Sequence, residues 1–547
     1  MKIVIVGGVA GGATAAARMR RLSEDAEIIM LERGPDISFA NCGLPYYVGG
    51  AIKDEAALRL MTPPAFRKKS NVDVRTMSRA DVIDLKNKTV TVTGPDGQYA
   101  ESYDKLLLAT GAEPVRPPFP GADLPGVFTL RTIGDSAAIK KYIAEHEAKT
   151  ALIVGGGYIG MEMAENLTLA GLKVTVAEMD DHAIAPLDYD MATDVHKYVR
   201  SKGVKLLLNS KVVSIDKDDS GLKVALGSGE VAADLVLLSV GVRPDTKLAS
   251  EAGLAVNAKG ALIVDDHMRT SDPNVWAVGD AVQITNKVTG QPGFVPLAGP
   301  ANKQGRIAAD NMFGFDAVYD GTQGSAAMKL FDMTVACTGV NEKEAKRLAL
   351  DFDKVYLLLP THVKYYPGVS ELAMKVIYDK DSGRLLGAQV IGMKGVDKRC
   401  DVLATAIRLG AAAADLTRLE LCYAPPFTSA KDPVNMAGYV IENLMTGKVK
   451  QIFWHDVDAL PRDGSVTLLD VRNDQEREAG VIEGFRHIPL EDLRGRLGEL
   501  DKSKPVFVHC KGGLKSYNAC RLLSGHGFDC TNIAGGYTRY SSAKFNG

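Results

Sequence analysis

The chain has 547 residues, 46% of them hydrophobic and 24% charged, a length that excludes a single core and predicts three or four domains. With 65 basic against 67 acidic side chains the formal charge is -2, so no overall field favours nucleic acid or an anionic membrane surface, and any anionic ligand must be held by a local cluster. The seven cysteines, Cys42, Cys337, Cys400, Cys422, Cys510, Cys520 and Cys530, are odd in number, scattered and free of any C-x-x-C pair; this argues against a disulfide framework or a zinc site and predicts a reducing, cytoplasmic setting with no metal.

The first stretch, MKIVIVGGVAGGATAAARMRR, has the lysine, apolar run and small residues of a signal peptide. Its glycines, however, have dinucleotide-loop spacing and lead into an arginine-bearing helix. We read it as a buried strand, a glycine turn (Gly7, Gly8, Gly11, Gly12) and an alanine-rich helix, followed by the strand EIIMLER. Such a βαβ unit presents free amides and the positive helix end to a pyrophosphate. Glu32 lies 20 residues past Gly12, where a carboxylate accepts ribose hydroxyls. One departure stands out: in the G-x-G-x-x-G alignment the middle position is Val9. No uncharged apolar run is long enough to cross a bilayer.

The pattern recurs in full at ALIVGGGYIGMEMAENLTLAGLKVTVAEMD, with Gly155, Gly157 and Gly160 and with Glu178 closing the second strand. One such loop alone also fits a tight turn in some other α/β domain; two predict two dinucleotides. Glu178 accepts from a 2'-hydroxyl and repels a 2'-phosphate, favouring NADH over NADPH.

Two further stretches, YDKLLLATGAEP at 103–114 and TSDPNVWAVGDA at 270–281, together with GVRPDT at 241–246, resemble motifs of the two-dinucleotide-binding flavoprotein disulfide reductases. The resemblance covers residues 1 to about 325. It implies FAD in the first and third segments, NAD(P)H in the middle one, and electrons passing through the flavin to a cysteine. By the same resemblance Asp280 holds the flavin ribitol, and Arg33, Thr110, Gly111, Tyr158, Ile159, Gly241 and Ala298 are further cofactor contacts.

The cysteine is Cys42, in ISFANCGLPYY, which has no second cysteine nearby in sequence. It therefore cycles through sulfenic acid or through a mixed disulfide with an external thiol. The peroxidase branch carries a histidine in its first glycine loop; here that position is Ala10. GGVAGGA with SFANCGLPYY instead resembles coenzyme A disulfide reductase. A helix amino end just after SFAN is expected to lower the Cys42 pKa. Arg18 and Arg21 share a helix face, and FRKKS offers Lys68 and Lys69. By resemblance Thr14, Arg18, Arg21, Ser38, Asn41, Lys69 and Lys431 contact coenzyme A, although each basic residue alone is equally well read as solvated surface. The other cysteines, Cys510 apart, are read as small buried hydrophobes.

Residues 326–447 carry no nucleotide loop and resemble the dimerisation domain of the same reductases. Pro425 and Pro426 predict a rigid loop there. Tyr365 and Tyr423 match tyrosines that reach the cysteine of the partner subunit, with interface packing the alternative. Residues 452–547 resemble a rhodanese domain: the strand VFVH delivers Cys510 to the loop Lys511-Gly512-Gly513-Leu514-Lys515-Ser516. That loop is expected to turn several amides and two lysines toward the sulfur.

The fold class is thus α/β: two Rossmann-like dinucleotide-binding domains, an α+β dimerisation domain and a C-terminal rhodanese-like α/β domain. The expected segments are 1–148 and 269–325 for FAD, 149–268 for NAD(P)H, 326–447 for dimerisation and 452–547 for rhodanese. The expected function is a homodimeric NAD(P)H-dependent reductase of coenzyme A persulfide, polysulfide or coenzyme A disulfide, with Cys510 carrying sulfane sulfur and coenzyme A as diffusible or swinging carrier. Competing readings are a coenzyme A disulfide reductase with a regulatory rhodanese unit, an NADH oxidase or peroxidase, and a sulfur-trafficking or redox-sensing binder.

Overall fold

The computed structural model describes residues 1–219 and 221–545. They form two compact units: Met1–Asp180 with Gly203–Gly324, and Asp181–Lys202 with Ser325–Gly547.

The first unit holds two five-stranded parallel sheets. In the first, Lys2–Val6 lies between Glu27–Leu31 and Lys105–Leu108, with Asp73–Arg75 and Val275–Ala277 at the edges. Its central strand reads as an unbroken apolar run because both faces are covered. Ile3, Val4 and Ile5 have no exposed surface, each burial contributing roughly 1.5–3 kcal/mol. The helix α1 (Ala10–Leu22) follows that strand, and the five-residue helix α2 (Leu44–Val48) carries the turn after Cys42. The second sheet repeats the plan: Thr150–Val154 lies between Lys173–Ala177 and Leu235–Leu238, and the helix α3 (Tyr158–Leu169) opens from its glycine loop. Chain returning to the first domain adds α4 (Ala298–Met312), and Val275–Val278, Ala308 and Met312 share one core with Ile3–Val6. Glycines let α4 lie close on α1: a Cβ at Gly305 would stand 2.5 Å from the Gly11 carbonyl oxygen.

The second unit contains an antiparallel sheet in the order Ala326–Leu330, Met333–Gly339, Leu385–Gly392, Glu371–Asp379, Phe352–Pro360. A parallel five-stranded sheet follows, in which Val506–His509 pairs with Thr467–Asp470 and Cys530–Ile533; the helix α5 (Leu514–Gly525) leaves its central strand. The helix Tyr189–Ser201 belongs to this unit, although it connects strands of the second Rossmann-like sheet. Charge holds it there. Lys375, 1% exposed, reaches Asp188 at 3.0 Å, Asp190 at 2.8 Å and Glu342. Burial alone would raise the Asp190 carboxyl, yet Lys375, Arg539 and Lys354 hold it below the usual carboxylate range. One turn on, Asp194 accepts from Arg539 at 2.6 Å, tying the helix to the C-terminal Gly536–Ala543. Among the described residues no helix is long and apolar enough to cross a membrane.

Candidate active site

Both glycine turns have the same geometry. Gly7 and Gly155 take left-handed φ values of +101° and +102°, and a Cβ on either would strike the carbonyl oxygen of Ala109 (2.2 Å) or Ser239 (2.6 Å). The third glycines, Gly12 and Gly160, leave no room either, since a Cβ would stand 1.9 and 2.0 Å from the oxygens of Gly7 and Gly155. The middle position carries no such demand. Val9 has φ -96° and Gly157 φ -71°, so valine in the first loop departs from the pattern without strain.

The two acidic residues mirror each other as well. Glu32 accepts from the N–H groups of Gly8 and Gly34, both at 2.9 Å, and Glu178 from those of Gly156 (2.7 Å) and Asp180 (2.9 Å). Each carboxylate oxygen keeps a further lone pair for a sugar hydroxyl. Around the first loop, Arg33 bridges Glu113 (3.2 Å) and Asp245 (3.0 Å), and Thr110 Oγ1 donates to the Asp245 carbonyl at 2.5 Å. Gly111 and Gly241 both have positive φ, and the Gly241 carbonyl accepts from Val115 N–H at 3.0 Å. Tyr158 and Ile159 open α3, and Ala298 opens α4. Asp280 is half-buried; burial pushes its carboxyl up while Arg131 pulls it down.

Arg131 is a site residue that no sequence motif flagged. Its Nη1 donates to the Asn41 side-chain carbonyl at 2.7 Å when that amide is oriented to satisfy both neighbours. It also lines a cavity of about 320 Å³ with Arg33, Arg116 and Arg243, a local concentration of cations that suits nucleotide phosphates. Only the tertiary fold gathers these arginines.

Cys42 sits in a 3₁₀ turn, Asn41–Gly43, that runs straight into α2. The expectation of a lowered thiol pKa is corrected here. Its edge is open to solvent, but burial of the rest pushes the thiol up, and Glu162 and Asp280 push the same way. A backbone amide opposes them and is outweighed. The 3₁₀ turn is only three residues long, and the negative charge of Glu162 and Asp280 opposes ionisation of the sulfur.

The coenzyme A candidates divide. Arg18 is not a free cation: its Nε pairs with Asp310 at 2.6 Å. Thr14 Oγ1 donates to Asn302 at 2.5 Å. Arg21, Lys68 and Lys69 are exposed, the lysines in the last turn of Pro63–Ser70, which packs on α1. Ser38 has a left-handed φ of 44°, and its N–H donates to the Gly8 carbonyl at 2.8 Å, setting it beside the first glycine loop. Lys431 is exposed and belongs to the second unit.

In that second unit Tyr365 and Tyr423, 58 residues apart, bring their hydroxyls to 3.4 Å and are both exposed. The segment through Pro425 and Pro426 is a loop. Cys422 is exposed in that loop, which corrects its reading as a buried hydrophobe. Cys337, Cys400, Cys520 and Cys530 are buried, Cys530 between the Ser524 hydroxyl (3.1 Å) and the Cys520 carbonyl (3.0 Å).

Cys510 ends its strand with 1% exposure, and its Sγ accepts from Gly513 N–H at 3.0 Å and from Ser516 Oγ at 3.3 Å. Gly513 has φ +106° and turns the loop into α5, leaving Leu514 exposed. Two expectations change. One amide and one hydroxyl, not several amides, hold the sulfur. The lysines are neutralised, Lys511 by Glu371 at 2.6 Å and Lys515 by Glu476 at 2.9 Å. Gly512 lies against the antiparallel sheet, where a Cβ would be 3.0 Å from Leu358.

Comparison with known proteins identifies the scaffold. Residues 1–305 match the pyridine nucleotide-disulphide oxidoreductase family, 325–433 its dimerisation domain and 454–543 the rhodanese-like domain. The chain belongs to the pyridine nucleotide-disulphide oxidoreductases. A coenzyme A disulfide reductase of Staphylococcus haemolyticus is 36% identical over 447 residues, 81% of this chain and 100% of that protein. An NADH oxidase of Methanocaldococcus jannaschii is 36% identical over 441 residues, 80% and 98% of the two chains. The crystal structure of reduced Bacillus anthracis CoADR-RHD superposes with a TM-score of 0.97 at 43% identity, covering 99% of this chain and 98% of that one. A NAD-dependent persulfide reductase from A. fulgidus gives 0.93 at 38% identity, covering 99% and 100%.

The oxidoreductase family implies FAD and NAD(H), and the residues fit both. The doubled set of glycine turn and loop-bonded carboxylate, Glu32 and Glu178, offers two equivalent cradles. The second has an acidic residue where a 2'-phosphate would need a cation.

Proposed function

We propose that this oxidoreductase reduces coenzyme A persulfide or polysulfide, and coenzyme A disulfide, to thiol and sulfide with electrons from NADH, and that Cys510 carries sulfane sulfur for it. One observation carries the reading: Cys42 is the sole cysteine in the sequence of the first compact unit. A redox thiol there has no partner within its own unit and takes its second sulfur from outside. The whole-chain likeness to CoADR-RHD and to a persulfide reductase supports a sulfur substrate.

FAD, when bound, conducts two electrons from NADH to sulfur. Cys42 thiolate attacks the sulfane sulfur of the persulfide; the new S–S bond forms on Cys42 and coenzyme A leaves as thiolate. Two electrons then cleave the Cys42 persulfide, returning the Cys42 thiolate and releasing hydrosulfide. The balance is one persulfide, one NADH and one proton giving one thiol, one hydrogen sulfide and one NAD⁺. Gly7–Gly12 and Glu32 hold FAD with Asp280, Thr110 and Arg131, while Gly155–Gly160 and Glu178 hold NADH. Arg21 and Lys69 are the exposed cations offered to the coenzyme A phosphates. The enzyme acts as a homodimer in which Tyr365 and Tyr423 offer phenolic hydrogen bonds to the sulfur leaving Cys42 of the partner subunit.

Two variants test this. Cys42→Ser abolishes turnover on coenzyme A persulfide and disulfide while NADH still bleaches the flavin, because hydride transfer does not need the thiol. Cys510→Ser abolishes sulfur transfer from polysulfide but spares coenzyme A disulfide reduction. Retained turnover in the first variant, or NADH consumption that needs only oxygen or peroxide, would overturn the assignment.

A further inference from the structure

Within the second unit, each lysine of the Cys510 loop is matched by a carboxylate. Lys511 Nζ lies 2.6 Å from Glu371, the first residue of the strand Glu371–Asp379 in the antiparallel sheet, and Lys515 Nζ lies 2.9 Å from Glu476. The first pair is at the surface, its side chains 44% and 53% exposed. The other cations on this side are turned elsewhere. Arg472 is fully buried on Asp470 at 2.8 Å, and Arg477 shares that carboxylate at 3.3 Å. His509, the residue before Cys510, is pushed down to about 4 by burial and carries no charge at neutral pH.

What is left for a negative sulfur is uncharged or fractional. The Cys510 Sγ has Gly513 N–H at 3.0 Å and the Ser516 hydroxyl at 3.3 Å, and the amino end of α5, which opens after Gly513, adds roughly half a positive charge. That set suits one negative charge. The loop also presents an apolar side chain, Leu514, 51% exposed, while Gly512 lies on Leu358. Two kinds of sulfane donor part ways here. When Cys510 thiolate attacks the outer sulfur of an organic persulfide, R–S–SH, the new S–S bond forms on Cys510, the donor's S–S bond breaks, and its electron pair leaves as the monoanion R–S⁻. With thiosulfate the same step brings a dianion to the loop and releases the dianion sulfite, beside lysines that are already paired.

We propose that Glu371 is a specificity-determining residue for the sulfur donor, a role that rests on Cys510 being the sulfane carrier. By holding Lys511, with Glu476 holding Lys515, it denies the loop the free cation an oxyanion donor needs and reserves Cys510 for sulfur bound to an organic thiol. Glu371 lies in the dimerisation domain and Lys511 in the rhodanese-like domain, so one domain sets the donor range of the other through a single ion pair.

The test loads Cys510 in FAD-containing protein without NADH, so that the flavin half stays idle, and follows added sulfur on the Cys510 peptide by mass spectrometry. Glutathione persulfide and thiosulfate are the two donors. Wild type takes sulfur faster from the persulfide. Glu371→Gln frees Lys511 and raises the thiosulfate rate relative to the persulfide rate about fivefold at low salt, the size of one exposed ionic contact, and the gain fades at high salt. Glu371→Asp keeps the wild-type ratio, and Lys511→Met added to Glu371→Gln removes the gain. If Glu371 only pins the loop, its loss changes both rates alike and leaves their ratio fixed. That result, or a wild type that loads equally fast from both donors, would overturn the proposal. Failure of the parent reading looks different: neither donor adds sulfur to Cys510 in wild type or in any variant.

Discussion

Replacing Ser516 by alanine removes one of the two donors at the Cys510 sulfur, and the structure sets the size of the effect. The Ser516 hydroxyl lies 3.3 Å from Sγ and 3.1 Å from the Gly513 carbonyl oxygen. With a single proton it bonds the carbonyl while the sulfur is neutral and turns to the sulfur when that becomes an anion. A bond to a charged acceptor contributes about 1.5–3 kcal/mol and one to a neutral carbonyl about 0.5–1.5 kcal/mol, so the anion's net gain is about 1–1.5 kcal/mol, or roughly tenfold. Alanine also suits an α-helix better than serine, so α5 keeps its fold. The assay is transfer of sulfur from polysulfide to cyanide, paired with alkylation of Cys510 at a fixed near-neutral pH. Both should slow about tenfold, with Gly513 N–H left as the remaining donor. Rates within about twofold of wild type would show that the hydroxyl stays on the Gly513 carbonyl and that the amide alone stabilises the anion.

Lys375→Met should destabilise the second unit by about 3–5 kcal/mol, because it leaves Asp188, Asp190 and Glu342 buried without their shared cation. In wild type the lowered Asp190 carboxyl contributes stability that is present above its unfolded value of 3.8 and lost on acidification. In the variant burial dominates and the sign inverts, so urea unfolding should show the deficit shrinking as pH falls toward that value; a pH-independent deficit refutes this. Two buried histidines add an acid sensitivity of their own, with His196 pushed down to about 3 and His509 to about 4 from 6.5, burial being the main cause in each. Between pH 6.5 and those values the unfolded chain binds the extra protons, so stability falls as pH drops, by about 1.4 kcal/mol per pH unit for each proton. His196→Gln should lower the slope by about 1.4 kcal/mol per pH unit across that window, and an unchanged slope refutes the assignment.

The features legible in the sequence are those fixed by local backbone demands. Gly7 and Gly155 stand where a Cβ would collide with a carbonyl one strand away, and Gly12 and Gly160 where it would collide with the first glycine of their own turn, so their spacing alone announces two turns of the same kind. The alternation of buried strand and helix around them follows from the same short range. What escaped is what distant partners impose. Arg18 reads as a free cation until Asp310, far along the chain, lies beside it, and Lys511 and Lys515 read as the positive wall of a cradle until Glu371 and Glu476 cancel them. Glu162 carries no motif, and only the packing of α2 on α3 gives it Tyr46 to bond. The helix Tyr189–Ser201 carries no motif, yet its carboxylates fasten it to Lys375 and Arg539.

Cys510 is 1% exposed, and the loop after it is pinned to the antiparallel sheet twice over, Gly512 against Leu358 and Lys511 on Glu371. A sulfur enclosed in this way is screened from thiols in bulk water, and donor and acceptor alike must meet the same pinned loop.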